Sequence, residues 1–151
     1  MNDAATTPEM IVPEIGFPEL AENFALFDDW DDRYRYLIDL GRKLPALPEV
    51  YKTDAYKVRG CMSQVWLVPH LTKADNGQNR LFFAADSDAH IVKGLIAVLA
   101  ALFSGKPTSE IGGTDAEAAF KQLGLDQHLS PSRRNGLVAM VEKIKGYASG
   151  A

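Results

Sequence analysis

Apolar side chains recur at helical spacing from Asp28 onward, with Trp30, Tyr34, Leu37, Ile38 and Gly41 on one face. Asp28, Asp29, Asp31 and Asp32 gather where the positive end of that helix favours carboxylates, and Gly41, Pro45 and Pro48 close it. Upstream, Pro18 suits the first turn of an earlier helix. Between Tyr51 and Gly60 the composition turns extended, which reads as a loop or short strand. Gln64 to Val68 and Leu81 to Phe83 are rich in β-branched and aromatic residues, and Asp75-Asn76-Gly77 lies between them as a turn signal. The pair predicts a β-hairpin with a long tip. Ser87 is expected to cap a helix whose stripe is Ile91, Val92, Leu95, Ile96, Leu99, Leu102 and Phe103, ended by Gly105 and Pro107. Thr114 and Glu117 have capping-box spacing for a short helix that Gly124 stops. Ser130-Pro131 opens a last helix, with Leu137, Met140, Val141 and Ile144 on one face.

Helices, then a hairpin, then helices predict an α+β two-layer fold, a small antiparallel sheet of about three strands packed against helices. Residues 1–16, small and polar with two prolines, read as a flexible or loosely docked tail, 17–147 as a single domain, and 148–151 as a C-terminal tail. A chain of 151 residues, 46% apolar and 24% charged, can bury a core without metal or disulfide staples. The longest apolar-rich run, Ile91 to Phe103, is interrupted by Lys93 and is too short to span a bilayer. The start, Met1-Asn2-Asp3, does not resemble a targeting segment, so a cytoplasmic location is expected and no membrane partner.

Charge changes the picture only slightly. The net charge is −4, but residues 1–32 hold nine of the twenty acidic side chains and no basic one, which leaves the rest at about +5. That balance is too mild for a nucleic-acid binder. The acidic stretch reads as a solvated helix face; the alternative is a surface that helps to choose a protein partner.

Cysteine count narrows the chemistry. Cys61 is the only thiol, so no internal disulfide can form, and with His70, His90 and His128 it matches no zinc spacing. An iron–sulfur cluster held by this chain alone is excluded on ligand number. Gly60 allows a turn beside the sulfur, and Lys52, Lys57 and Arg59 lie upstream, where cations would raise the thiolate fraction of a group that is mostly protonated near neutrality. A buried structural cysteine is the competing reading.

Val58-Arg59-Gly60-Cys61-Met62-Ser63-Gln64-Val65-Trp66-Leu67 closely resembles the signature of the SufE family of sulfur acceptors. Two more blocks agree in order and spacing: Asp86 to Ala89 with Ile91 to Leu95, and His128 to Arg133 with Asn135 to Leu137. The helix from Trp30 to Leu44 also resembles the family's N-terminal helix. Met62 and Tyr56 depart from the family's usual Gln and Asn. The resemblance implies a non-enzymatic sulfur carrier. Its acceptor is Cys61, which takes a persulfide sulfur from a PLP-dependent cysteine desulfurase (SufS-like or CsdA-like), stimulates that enzyme, and hands the sulfur to a cluster-assembly scaffold. No cofactor is expected on this chain; PLP belongs to the partner.

Around Cys61, the candidate loop or partner contacts are Arg59, Gly60, Ser63, Asp88 and Arg133. Asp86 and Asp88 read as carboxylates at a helix start, with restraint of the Cys61 loop as the functional alternative for Asp88. Arg133 and Arg134 oppose the dipole of the last helix, which suggests partner docking or a thiolate contact for Arg133. His128 reads as structural rather than as a proton shuttle. Ser63 and Gln64 are expected to bond the loop backbone, and Trp66 to sit in the core. Two other classes stand beside the carrier: a Cys–His hydrolase using Cys61, His128 and Asn135, and a cluster scaffold bridging two chains through Cys61.

Overall fold

The computed structural model describes residues 8–60, 63–73 and 77–150. Two helices, α1 (Phe17–Ala25) and α2 (Trp30–Arg42), precede the hairpin of β1 (Val65–Lys73) and β2 (Asn79–Ser87). After it come α3 (His90–Phe103), β3 (Lys106–Pro107), α4 (Thr108–Ile111), α5 (Ala116–Gln122), α6 (Leu125–His128) and α7 (Pro131–Ala148). The sheet is antiparallel in the order β1-β2-β3, which is the α+β architecture expected. β1 and β2 pair from Val65 opposite Ser87 to Lys73 opposite Asn79. Asp75 and Asn76 of the expected turn lie outside the described residues.

Alternation along the hairpin divides its faces. Val65, Leu67, Leu81, Phe83 and Ala85 are buried with the apolar stripe of α3 in the main core. On the reverse face, Val68 and Ala84 pack with Leu47, flanked by Met10, Tyr51, Tyr56 and Trp66. The arm from Leu47 to Val58 therefore covers the back of the sheet. Trp66 belongs to this smaller cluster and is half-buried. β3 stops after two residues because Pro107 has no N–H to continue the ladder.

Where β3 stops, the N-terminal segment continues the edge. Ile11 donates its N–H to Phe83 O (2.8 Å), and the buried Ser104 hydroxyl donates to Ile11 O (2.6 Å). Ile11 is 4% exposed, so this stretch of the expected tail is docked onto the sheet. At the other end, α7 runs through Ala148.

Two helix starts, those of α3 and α5, differ from the expected caps by one or two residues. Asp29 caps α2 by accepting the Asp32 N–H. The α3 N-cap is Ala89 instead of Ser87, because β2 runs on through Ser87, whose hydroxyl accepts the Ala89 N–H. Asp115 instead of Thr114 caps α5 by accepting the Ala118 N–H; the Thr114 hydroxyl donates to Glu110 O. Ser130 caps α7, with Pro131 in its first turn. On α2, Leu37 and Gly41 are buried, but Tyr34 is exposed, and Trp30, Tyr36 and Leu40 complete the packed face, with Leu44 just past the helix end. The face turned by about one residue because α2 crosses α3 glycine to backbone. A Cβ on Gly41 would lie 2.7 Å from Gly94 N, so only a residue without a side chain permits this approach.

Candidate functional site

Cys61 and Met62 lie outside the described residues, and the residues on either side define the surroundings. On the incoming side, Val58 donates its N–H to Val65 O (2.8 Å), Tyr56 O accepts the Leu67 N–H (2.9 Å), and Lys57 bridges to Trp66. This arm is thus a short extension of the sheet beside β1. It ends at Gly60, whose φ of +92° lies in the left-handed region, where a side chain would be strained. A Cβ there would also meet the Ala139 Cβ of α7 at 3.4 Å.

The outgoing side is tied to β2. Gln64 donates its N–H to Asp88 Oδ1 (3.0 Å), and Asp88 returns its own N–H to Gln64 O (3.3 Å). Asp88 therefore does not cap α3. Its side chain satisfies the backbone three residues after Cys61 and restrains the loop there.

Beside these legs lies a cavity of about 420 Å³ lined by Ser63, Val65, Val92, Leu95, Met140 and Arg133, with Ser130, Ser132 and Gly136. Its lining combines apolar side chains with hydroxyls and a guanidinium. Such a space could shelter a soft sulfur while offering a positive charge at its edge. Arg133 forms no ion pair with any described residue. Arg59 is exposed on the turn and does not line the cavity. The structure thus brings Ser63 and Arg133 to one cavity and leaves Arg59 on the surface.

His128 stacks flat on Trp30, with ring centroids 4.2 Å apart and planes inclined by 9°. Neither His128 nor Asn135 lines the cavity. Among the described residues no group of three or more His, Cys, Asp or Glu side chains converges as a metal site, and no helix is long and apolar enough to cross a membrane.

One cluster beside the loop escaped the sequence reading. Asp86 faces Trp66 across the hairpin and binds Lys52 (3.2 Å) and Lys93 (3.4 Å), while Lys52 also binds Glu49 (2.7 Å). The signal that could have found it is an acidic residue directly after an apolar strand run, Leu81 to Ala85, where partial burial requires partners. The Glu49 carboxylate foremost, and Asp86 after it, hold the Lys52 ammonium above the ordinary lysine value, against partial burial that lowers it. Burial, then charge on Tyr56, likewise raises the Tyr147 hydroxyl.

Both groups are raised in the folded state, so their contribution is complete below the unfolded values of about 10 and is lost as pH rises through the folded ones. Thermal stability is therefore expected to be insensitive to these groups near neutrality and to fall above about pH 10. Melting curves of the native chain and Lys52→Met on both sides of that value should show a steeper alkaline loss in the native chain. Parallel losses would refute the assignment to Lys52.

The chain's only cysteine thus falls in sequence between two anchored legs, Tyr56–Val58 and Gln64, in a small α+β fold with a cavity of mixed lining alongside. The SufE family, described as an Fe–S metabolism associated domain, matches residues 18–148. An uncharacterised SufE-like protein of Rhizobium meliloti (strain 1021) is 51% identical over 132 residues, covering 87% of this chain and 94% of its own length. One of Rhizobium etli is 50% identical over 130 residues, covering 86% of this chain and 87% of its own length. A hypothetical protein of Thermus thermophilus, solved in solution, has a similar fold, with TM-score 0.67 at 20% identity over 93% of this chain and 98% of its own. The chain belongs to the SufE family, and membership implies a sulfur-transfer partner in iron–sulfur metabolism.

Proposed function

We propose that this chain accepts a persulfide sulfur on Cys61 from a PLP-dependent cysteine desulfurase, stimulates that enzyme by clearing its persulfide, and passes the sulfur to a cluster-assembly scaffold. The observation that carries this reading is the anchoring of the chain on both sides of Cys61, at Tyr56–Val58 and at Gln64, beside a cavity lined by apolar side chains and Arg133.

The step is thiol exchange one sulfur further out. The Cys61 thiol loses its proton to solvent, and the thiolate attacks the terminal sulfur of the partner's persulfide. A new S–S bond forms, the old one breaks, and the partner's cysteine leaves as thiolate. Onward transfer needs an outside nucleophile, because this chain has one cysteine and cannot release the sulfur by closing an internal disulfide. Asp88 restrains the outgoing leg through Gln64, and Ser63 and Arg133 supply the polar side of the cavity. Arg59, exposed on the turn, is a candidate partner contact. The cytoplasm is the proposed location.

The test is the intact mass of the chain after incubation with a cysteine desulfurase and L-cysteine. A gain of about 32 Da per sulfur atom is expected, carried by the peptide containing Cys61 and removed by reductant. No gain with desulfurases of either type would overturn the proposal. A cluster scaffold would instead colour on anaerobic addition of iron and sulfide.

A further inference from the structure

Three segments meet at Asp86. Its Oδ2 accepts the Lys52 ammonium at 3.2 Å, and its Oδ1 accepts the Lys93 ammonium at 3.4 Å and the Ser87 N–H at 2.8 Å. Lys52 belongs to the arm that leads into Cys61, Lys93 to the first turn of α3, and Asp86 to the end of β2. The Asp86 side chain is 16% exposed and that of Lys52 23%, so both side chains are largely covered where they meet. Glu49, the nearer partner of Lys52, lies three residues earlier on the same arm and is 86% exposed, so that contact does not join the arm to the strand. The Lys52 ammonium also stands 5.6 Å from the centre of the Trp66 ring, which seats it on the back of the sheet.

We infer that Asp86 is a positioning residue for the arm that leads into Cys61, holding it through Lys52 at the end of β2, beside the place where Asp88 holds Gln64. The two carboxylates are two residues apart, and between them they tie the arm and Gln64 to one region of the fold. Among the described residues the arm has backbone bonds to β1 only from Tyr56 onward, and Lys52 is a polar anchor further upstream. The contact with Lys93 joins the same carboxylate to α3 and plays no part in holding the arm. This inference rests on Cys61 being the sulfur acceptor for its meaning, but its test reads the thiol of the isolated chain.

The experiment is alkylation of Cys61 by iodoacetamide in the full chain, followed by intact mass over time, well below the melting temperature of each variant. Rates are compared on the plateau of the pH profile, where the thiol is fully ionised and a changed thiolate fraction has no effect. Loss of a charge-assisted bond should speed alkylation by about tenfold in Asp86→Asn and in Lys52→Met. Lys93→Met, which removes only the α3 contact, should stay within about twofold of the native chain, as should Asp86→Glu, which keeps the carboxylate. If Asp86→Asn does not fold, Lys52→Met carries the test. The inference is overturned if Lys52→Met alkylates at the native rate. Equal acceleration by Lys93→Met, or by Asp86→Glu, overturns it as well, since either would mark a general loosening. A chain that acquires no persulfide yet shows these rates would refute sulfur acceptance and leave the tie between Asp86 and the arm standing.

Discussion

Replacing Gly94 by alanine is expected to lower the stability of the fold by about 3 kcal/mol. A Cβ at that position would overlap the Leu37 carbonyl oxygen and lie 2.8 Å from its carbonyl carbon, both backbone atoms of α2. Nothing flexible can give way, so the α2–α3 crossing itself must open. The intrinsic preference of helices for alanine over glycine opposes this by about 1 kcal/mol, which is too little to reverse the sign. Gly41, on the facing helix, meets Lys93 and Gly94 in the same contact and should behave similarly. A drop of this size corresponds to about 10 °C in melting temperature for a chain of this length. Chemical denaturation with an unchanged slope would measure it, and a variant as stable as the native chain would show that the helices do not cross this closely.

Cys61→Ser is expected to abolish sulfur acceptance and to return the desulfurase to its unaided rate. Serine is nearly isosteric, but its hydroxyl is not ionised near neutrality and forms no persulfide, whereas exchange needs a thiolate. No other thiol in the chain can substitute. Alanine formation from L-cysteine by the desulfurase, measured with and without the variant, should be the same, and the mass gain of about 32 Da should vanish. The variant should melt close to the native chain, which separates loss of chemistry from loss of fold. Stimulation retained at half or more of the native level would show that the partner is activated by docking and not by removal of its sulfur.

Much of the architecture was legible from periodicity. The stripe Ile91 to Phe103 and the alternation of the hairpin report which faces must leave water, and these depend on residues a few positions apart. Ser130 and Pro131 opened α7 where expected, for the same local reason. Other boundaries shifted when a neighbouring element claimed the residue: Ser87 stayed in β2, and Asp88 turned to the Gln64 backbone. The docking of Ile11 was not legible, because Met10-Ile11-Val12 is too short a run between prolines to show a repeat and its partners, Phe83 and Ser104, are far along the chain.

The candidate site divides in the same way. The order of Gly60, Cys61 and the blocks that resemble a sulfur-acceptor family are properties of the chain itself, and they indicated the chemistry without coordinates. Which side chains surround that loop was settled only by folding. The hairpin register sets Asp86 opposite Trp66, the arm from Leu47 to Val58 brings Lys52 to that carboxylate, and α7 carries Arg133 to the cavity that Ser63 enters. Local sequence determines helix and strand because their hydrogen bonds and apolar repeats span a few residues. Ion pairs and cavities join segments distant in sequence, and their partners are chosen by how the layers pack.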